Sequence, residues 1–162
     1  MMAAEDAGEI IAIGEAAAGG DLRDGATRSP ACVPVGGGAT LHPVKLHLEN
    51  LPSSLAPQRE TLERCLEAMN HALPLRQVIL FGSHARGDAR PDSDVDLCLV
   101  ADGAERQAEA VRRFSDAMWD IWPCPPFSLV PIAPRRLAEK RASGDFFYAT
   151  LFSEGVLLAA EN

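Results

Sequence analysis

A chain of 162 residues and 17.3 kDa is long enough for one domain with a core of its own and too short for two of ordinary size. Its 47% hydrophobic and 23% charged residues are those of a globular protein, and no apolar run approaches the roughly 20 residues that span a bilayer, which argues against a membrane protein. The net charge of -8 disfavours long nucleic acid as a partner, because a polyanion is held by a face on which Lys and Arg outnumber acids; a small nucleotide stays open, since a divalent cation can supply the positive charge.

The opening MMAAEDAGEIIAIGEAAAGG carries acids where a signal or transit peptide carries Arg and Lys, and IIAI is too short for a leader's hydrophobic region, so the expected location is cytoplasmic. Eight of the 13 glycines precede residue 50, with no sustained helical or alternating pattern. Residues 1–52 therefore read as a flexible tail and residues 53–162 as the domain. Within the tail, Ile10, Ile11 and Ile13 followed by Ala16 to Ala18 suggest a short helix. Gly36 to Gly38 read as linker, because the lysine of a phosphate loop and a preceding strand are both missing. Cys32, Cys65, Cys98 and Cys124 show no metal-ligand spacing, and Cys65 and Cys98 are expected as small core residues.

From Leu55 the texture changes. Leu62, Cys65, Leu66, Met69 and Leu73 recur at helical spacing and predict an amphipathic helix over about 57–72, stopped by Pro74. Gln77 to Phe81 form a short apolar strand ending at Gly82, and a loop or single helical turn leads to a second strand, Asp94 to Val100. Asp102-Gly-Ala-Glu105 has the form of a capping box opening a helix, whose core stripe is Val111, Phe114, Met118 and then Ile121 or Trp122. Phe127 to Ile132 form a third strand, near an edge or at its own end because of Pro131. Helices over 134–141 and 146–152 and a strand over 155–159 complete the pattern. The expected class is α/β (α+β), a small mixed sheet with helices packed on it.

Two features carry chemistry. Gly82 and Ser83 stand where a strand gives way to a turn or helix start, where backbone N–H groups and the Ser83 hydroxyl can converge on a phosphate. Asp94 and Asp96 are two apart on a strand, which puts both carboxylates on one face. Their repulsion is unfavourable without a cation, and magnesium favours hard oxygen ligands, taking one or two carboxylates together with substrate phosphate oxygens. Arg86 has two equal readings, a phosphate contact or a brace to a loop acid such as Asp88 or Asp92.

The string Gly82-Ser83-His84-Ala85-Arg86-Gly87, followed by Ser93-Asp94-Val95-Asp96-Leu97, resembles the signature of minimal nucleotidyltransferases of the DNA polymerase beta superfamily, over about residues 58–159. The resemblance implies a palm-like nucleotidyltransferase fold and transfer of a nucleoside monophosphate from a nucleoside triphosphate to an acceptor, with pyrophosphate leaving. It further implies that Gly82 and Ser83 hold the triphosphate, with Arg86 either a further phosphate contact or a brace of the loop, and that Asp94 and Asp96 are the catalytic acids and metal ligands, with two Mg2+ ions expected in an active member.

One position departs from that pattern. Active members add a third carboxylate on a later strand, and Ser128 stands there. A neutral hydroxyl is a poor base at neutral pH and a weaker magnesium ligand. Asp120 and His84 are the substitutes in sight, although a histidine beside a loop is more often solvent-exposed. The readings are an active transferase with an unknown acceptor, a degenerate nucleotide-binding domain, and a partner-binding module like the antitoxins that act with a small helical toxin, with the tail or the Trp119 and Trp122 region making the contact.

Overall fold

The computed structural model describes residues 11–12 and 44–161. In chain order these comprise strands β1 (Ile11–Ala12) and β2 (Val44–Leu46), two short 3-10 turns (Leu48–Asn50 and Ser53–Gln58), helix α1 (Arg59–Ala72), strand β3 (Leu75–Phe81), helix α2 (Gly82–Arg86) and strand β4 (Val95–Ala101). Helix α3 (Gln107–Met118), strand β5 (Phe127–Ile132), helices α4 (Pro134–Ala142) and α5 (Phe146–Glu154) and strand β6 (Val156–Glu161) follow. Among the described residues, no helix is long and apolar enough to cross a membrane.

The strands form one mixed sheet in the order β1-β5-β4-β3-β6-β2. Only β4 and β5 run parallel; β3 pairs antiparallel with both β4 and β6. Helices cover both faces, which is why the central strands read as unbroken apolar runs rather than alternating ones. Val95, Leu97 and Leu99 of β4 join a core with Leu62, Cys65, Leu66 and Met69 of α1 and with Phe114 of α3. The intervening Cys98 and Val100 join a second core with Leu137 of α4 and with Tyr148 and Leu151 of α5.

The expected helices and strands are present, with local differences. Asp102 does not cap α3: the helix starts five residues later, with Arg106 at its N-cap, and Asp102 instead accepts from the Arg76 guanidinium at 2.9 Å. Arg76 also pairs with Glu161 at 3.0 Å, so Arg76, on β3, links the acid that resembled a helix signal at the end of β4 to the end of β6. The core stripe of α3 ends at Met118; Ile121 packs against the core, whereas Trp122 is 85% exposed. Pro131 is buried in β5, one residue before that strand ends and beyond its pairing with β1.

Order extends N-terminal to residue 53. Val44–Leu46 pairs with β6, and Leu48 is buried in the larger core. Ile11–Ala12 pairs with Leu129 and Ser128 of β5 instead of lying in a helix. Gly36 to Gly38 and Cys32 lie outside the described residues.

Cys65 and Cys98 are core residues, as expected, and burial pushes both thiols up to about 12. The half-buried Cys124, whose Sγ lies 4.0 Å from that of Cys65, is shifted upward too. Since the thiolate is the nucleophile, alkylation of the folded protein at pH 8 should be slow at all three sites, first at Cys124 and last at Cys98. Peptide mass mapping after timed iodoacetamide treatment checks the order, and rapid labelling of Cys98 in the native protein would show that its face of the sheet opens locally.

Candidate active site

The turn and the acids meet at one end of the sheet because of strand register. Phe81, the last residue of β3, pairs with Asp96, and on its other side Asp96 pairs with Ser128 of β5. Asp96, the second residue of β4, therefore lies between the Gly82–Ser83 turn and Ser128. Asp94 lies one residue before β4 begins and is exposed.

Gly82 is required here for two reasons. Its φ of +70° is a conformation that L side chains rarely adopt, and a Cβ at this position would collide with the Asp96 carboxylate. The backbone turns directly over the acid and enters α2, where Ser83 is half-buried. No side chain caps the start of α2, so its first backbone N–H groups are available to an anion. Gly87, with φ +81°, ends the helix, and both its N–H and that of Asp88 donate to the Ser83 carbonyl.

Arg86 is exposed, with Nε 3.5 Å from the Asp88 carboxylate, which places it as a brace of the loop. Its charge is also felt at Asp96. His84 departs from the solvent-exposed reading: it is buried, with Nδ1 3.0 Å from the Ser54 hydroxyl and Nε2 3.4 Å from the Ser93 carbonyl. It thus links the 3-10 turn before α1, helix α2 and the residue preceding Asp94. Nothing in the sequence marks Ser54, and Ser93 appears there only as the first residue of the Asp94 string, since they lie 30 residues back and 9 residues on from His84 and meet it only through the fold.

The electrostatics of the pair are unfavourable in the free protein. Burial raises the Asp96 carboxyl above the usual carboxylate range, and the neighbouring Asp94 charge pushes the same way. The neighbouring Ser128 hydroxyl, and the charges of His84 and Arg86, act in opposition. Ser128 is 5% exposed and paired with Asp96 across the strands, so the third position is occupied by a neutral hydroxyl rather than by another acid. Asp120 is exposed beyond the end of α3. Among the described residues no group of three or more His, Cys, Asp or Glu side chains surrounds a point where a metal could sit. Two carboxylates remain, a set that suits an ion sharing its coordination with substrate oxygens better than a fully protein-bound one.

The chain belongs to the nucleotidyltransferase domain family, whose model matches residues 62–142, from α1 through the turn, both acids and β5 to the end of α4. Among solved structures it is similar to a Sulfolobus solfataricus protein assigned by name to the nucleotidyltransferases. The two are 20% identical, over 64% of this chain and 81% of that one, with a TM-score of 0.42. No curated protein matches.

A carboxyl whose folded pKa is raised binds more protons folded than unfolded, so its contribution to stability falls as pH rises through the window between the two values. Ionised Asp96 therefore costs stability above that window. In the absence of divalent cations, Asp96→Asn should raise the melting temperature by a few degrees at pH 7 and by less at pH 4. Thermal melts across that range check this, and destabilisation at pH 7 would mean that the ionised carboxylate is needed to hold Ser128 and the turn.

Proposed function

We propose that this domain binds a nucleoside triphosphate as its magnesium complex and transfers the nucleoside monophosphate to an acceptor, with turnover limited by the missing third acid. The observation that carries the reading is the approach of the Gly82 backbone to the Asp96 carboxylate. It brings a phosphate-accepting turn against a carboxylate that burial and Asp94 make unfavourable without a cation. Asp94 and Asp96 would hold one ion jointly with phosphate oxygens. When bound, magnesium would neutralise phosphate charge and align the attacking and leaving oxygens.

The protein's own residues account for binding better than for deprotonation. The Gly82–Ser83 backbone and the Ser83 hydroxyl would receive the leaving phosphates, while Arg86 and Asp88 keep the loop closed. As the acceptor oxygen bonds to the α-phosphorus and pyrophosphate departs, the acceptor proton must leave. Ser128, the neutral hydroxyl paired with Asp96, is a poor base. That proton would pass to water or to the substrate's phosphate, at a cost in rate.

A domain that serves partner binding without transfer is the second reading, favoured by Trp119 at 83% and Trp122 at 85% exposure. An antitoxin-like role with a helical partner would engage this surface.

Restoring the acid separates the two. Ser128→Asp should raise Mg2+-dependent label transfer from a nucleoside triphosphate by about 10²-fold, and Asp94→Asn should abolish it. The added acid would be buried beside Asp96, so the variant should also melt lower without magnesium and recover when it is added. Metal-dependent nucleotide binding with no transfer, in both the natural chain and the Ser128→Asp variant, would leave the non-catalytic reading standing.

A further inference from the structure

The face of the sheet that carries Asp96 continues past Gly82 into an aromatic groove of about 320 Å³. Its wall is Phe81 at the end of β3 and Phe146 and Phe147 at the start of α5. Phe147 stands edge-on to Phe81, with ring centroids 5.8 Å apart and planes at 89°, and edge-on to Tyr148 at 5.1 Å. Phe147 is thereby held between two rings and still 38% exposed, while Phe146 is 83% exposed. A single exposed ring would need no explanation, but here a fixed aromatic wall adjoins a site built for a charged ligand.

Two residues belong to both features. Gly82 and Arg86 line the groove and also form the first and last positions of α2. A molecule whose phosphates rest on that turn has its remainder within reach of the groove. Thr150 and Glu154, on the following turns of α5, bring a hydroxyl and a carboxylate to the same groove, suited to ring N–H and amino donors. We propose that this groove receives the nucleobase of the bound nucleotide, stacked on Phe146. The assignment rests on the nucleotide-binding reading above and adds the place where the base is held. An aromatic acceptor fits less well. In an in-line displacement the attacking oxygen approaches opposite the leaving phosphates, and so away from the turn with which the groove is continuous.

The stacking face explains why α5 begins with two phenylalanines although only Tyr148 and Leu151 of that helix are buried. It also requires little sequence reading of the base, since every base offers a π-face; Glu154 and Thr150 would supply the preference among bases.

Calorimetric titration of the full chain with each of the four common ribonucleoside triphosphates, and with inorganic tripolyphosphate, all with Mg2+, tests the assignment. Phe146→Ala should leave the melting temperature unchanged, because the ring is exposed, and weaken triphosphate nucleotides by about 5- to 100-fold while leaving tripolyphosphate affinity unaltered. Phe146→Tyr should restore nucleotide affinity. If nucleotides and tripolyphosphate bind the natural chain but Phe146→Ala changes neither, the base lies elsewhere and this assignment falls alone. Equal weakening of tripolyphosphate would also overturn it, by showing that Phe146 supports the turn and not a base. If neither ligand binds the natural chain, the nucleotide-binding reading itself fails and takes the groove's assignment with it.

Discussion

The site depends on the register of three adjacent strands. Antiparallel pairing sets Phe81 against Asp96, and parallel pairing sets Asp96 against Ser128. Because the side-chain period of a strand is two, a slip of one residue would turn Asp96 into the core and bring Val95 or Leu97 to the site. That slip is prevented by burial on both faces. Val95, Leu97 and Leu99 fill the core under α1 and α3, and Cys98 and Val100 fill the one under α4 and α5. With the register fixed, the chain leaves β3 directly over Asp96, in a conformation and at a distance that favour glycine.

The same arrangement explains why the acids remain accessible. The core under α4 and α5 covers the sheet around Ile79, Cys98 and Ile132, while Asp96 stays half-buried and Asp94 exposed at the end where β3 stops and β4 begins. Partial burial makes the carboxylate costly, and the adjacent acid makes it more so. Such local conflict, set inside strands that are otherwise well packed, is an exception to the consistency that the rest of the sheet shows.

Much of this was legible in the chain. The helical spacing from Leu62 to Met69 and the apolar runs ending at Phe81, Val100 and Ile132 specify elements by local pattern, and the Gly82-Ser83 turn with its two acids specifies the site. What was not legible depended on distant partners. Asp102 followed by Glu105 has the spacing of a capping box, yet Arg76, 26 residues earlier, offers an ion pair to the same carboxylate. His84 has no local signature of burial, because the groups that satisfy its ring come from Ser54 and Ser93. Val44–Leu46 is too short to declare itself as a strand and exists through its pairing with β6. Trp122 falls on the helical stripe by spacing, but α3 ends at Met118, and past that point the period no longer directs side chains inward.

Ser128 gives the departure from the family pattern a structural meaning. It is not an inert replacement: it is buried beside Asp96, and its hydroxyl acts to lower that carboxyl against the effect of burial. A carboxylate at that position would add a third negative charge to the cluster and could be accommodated only with more cation. The hydroxyl instead lowers the cost of ionised Asp96 from within the protein, so the acid pair is sustained with less counter-charge. The substitution therefore moves the site in two directions at once. It eases the folding of the Asp94 and Asp96 pair, and it leaves the third position without a group that can act as a base.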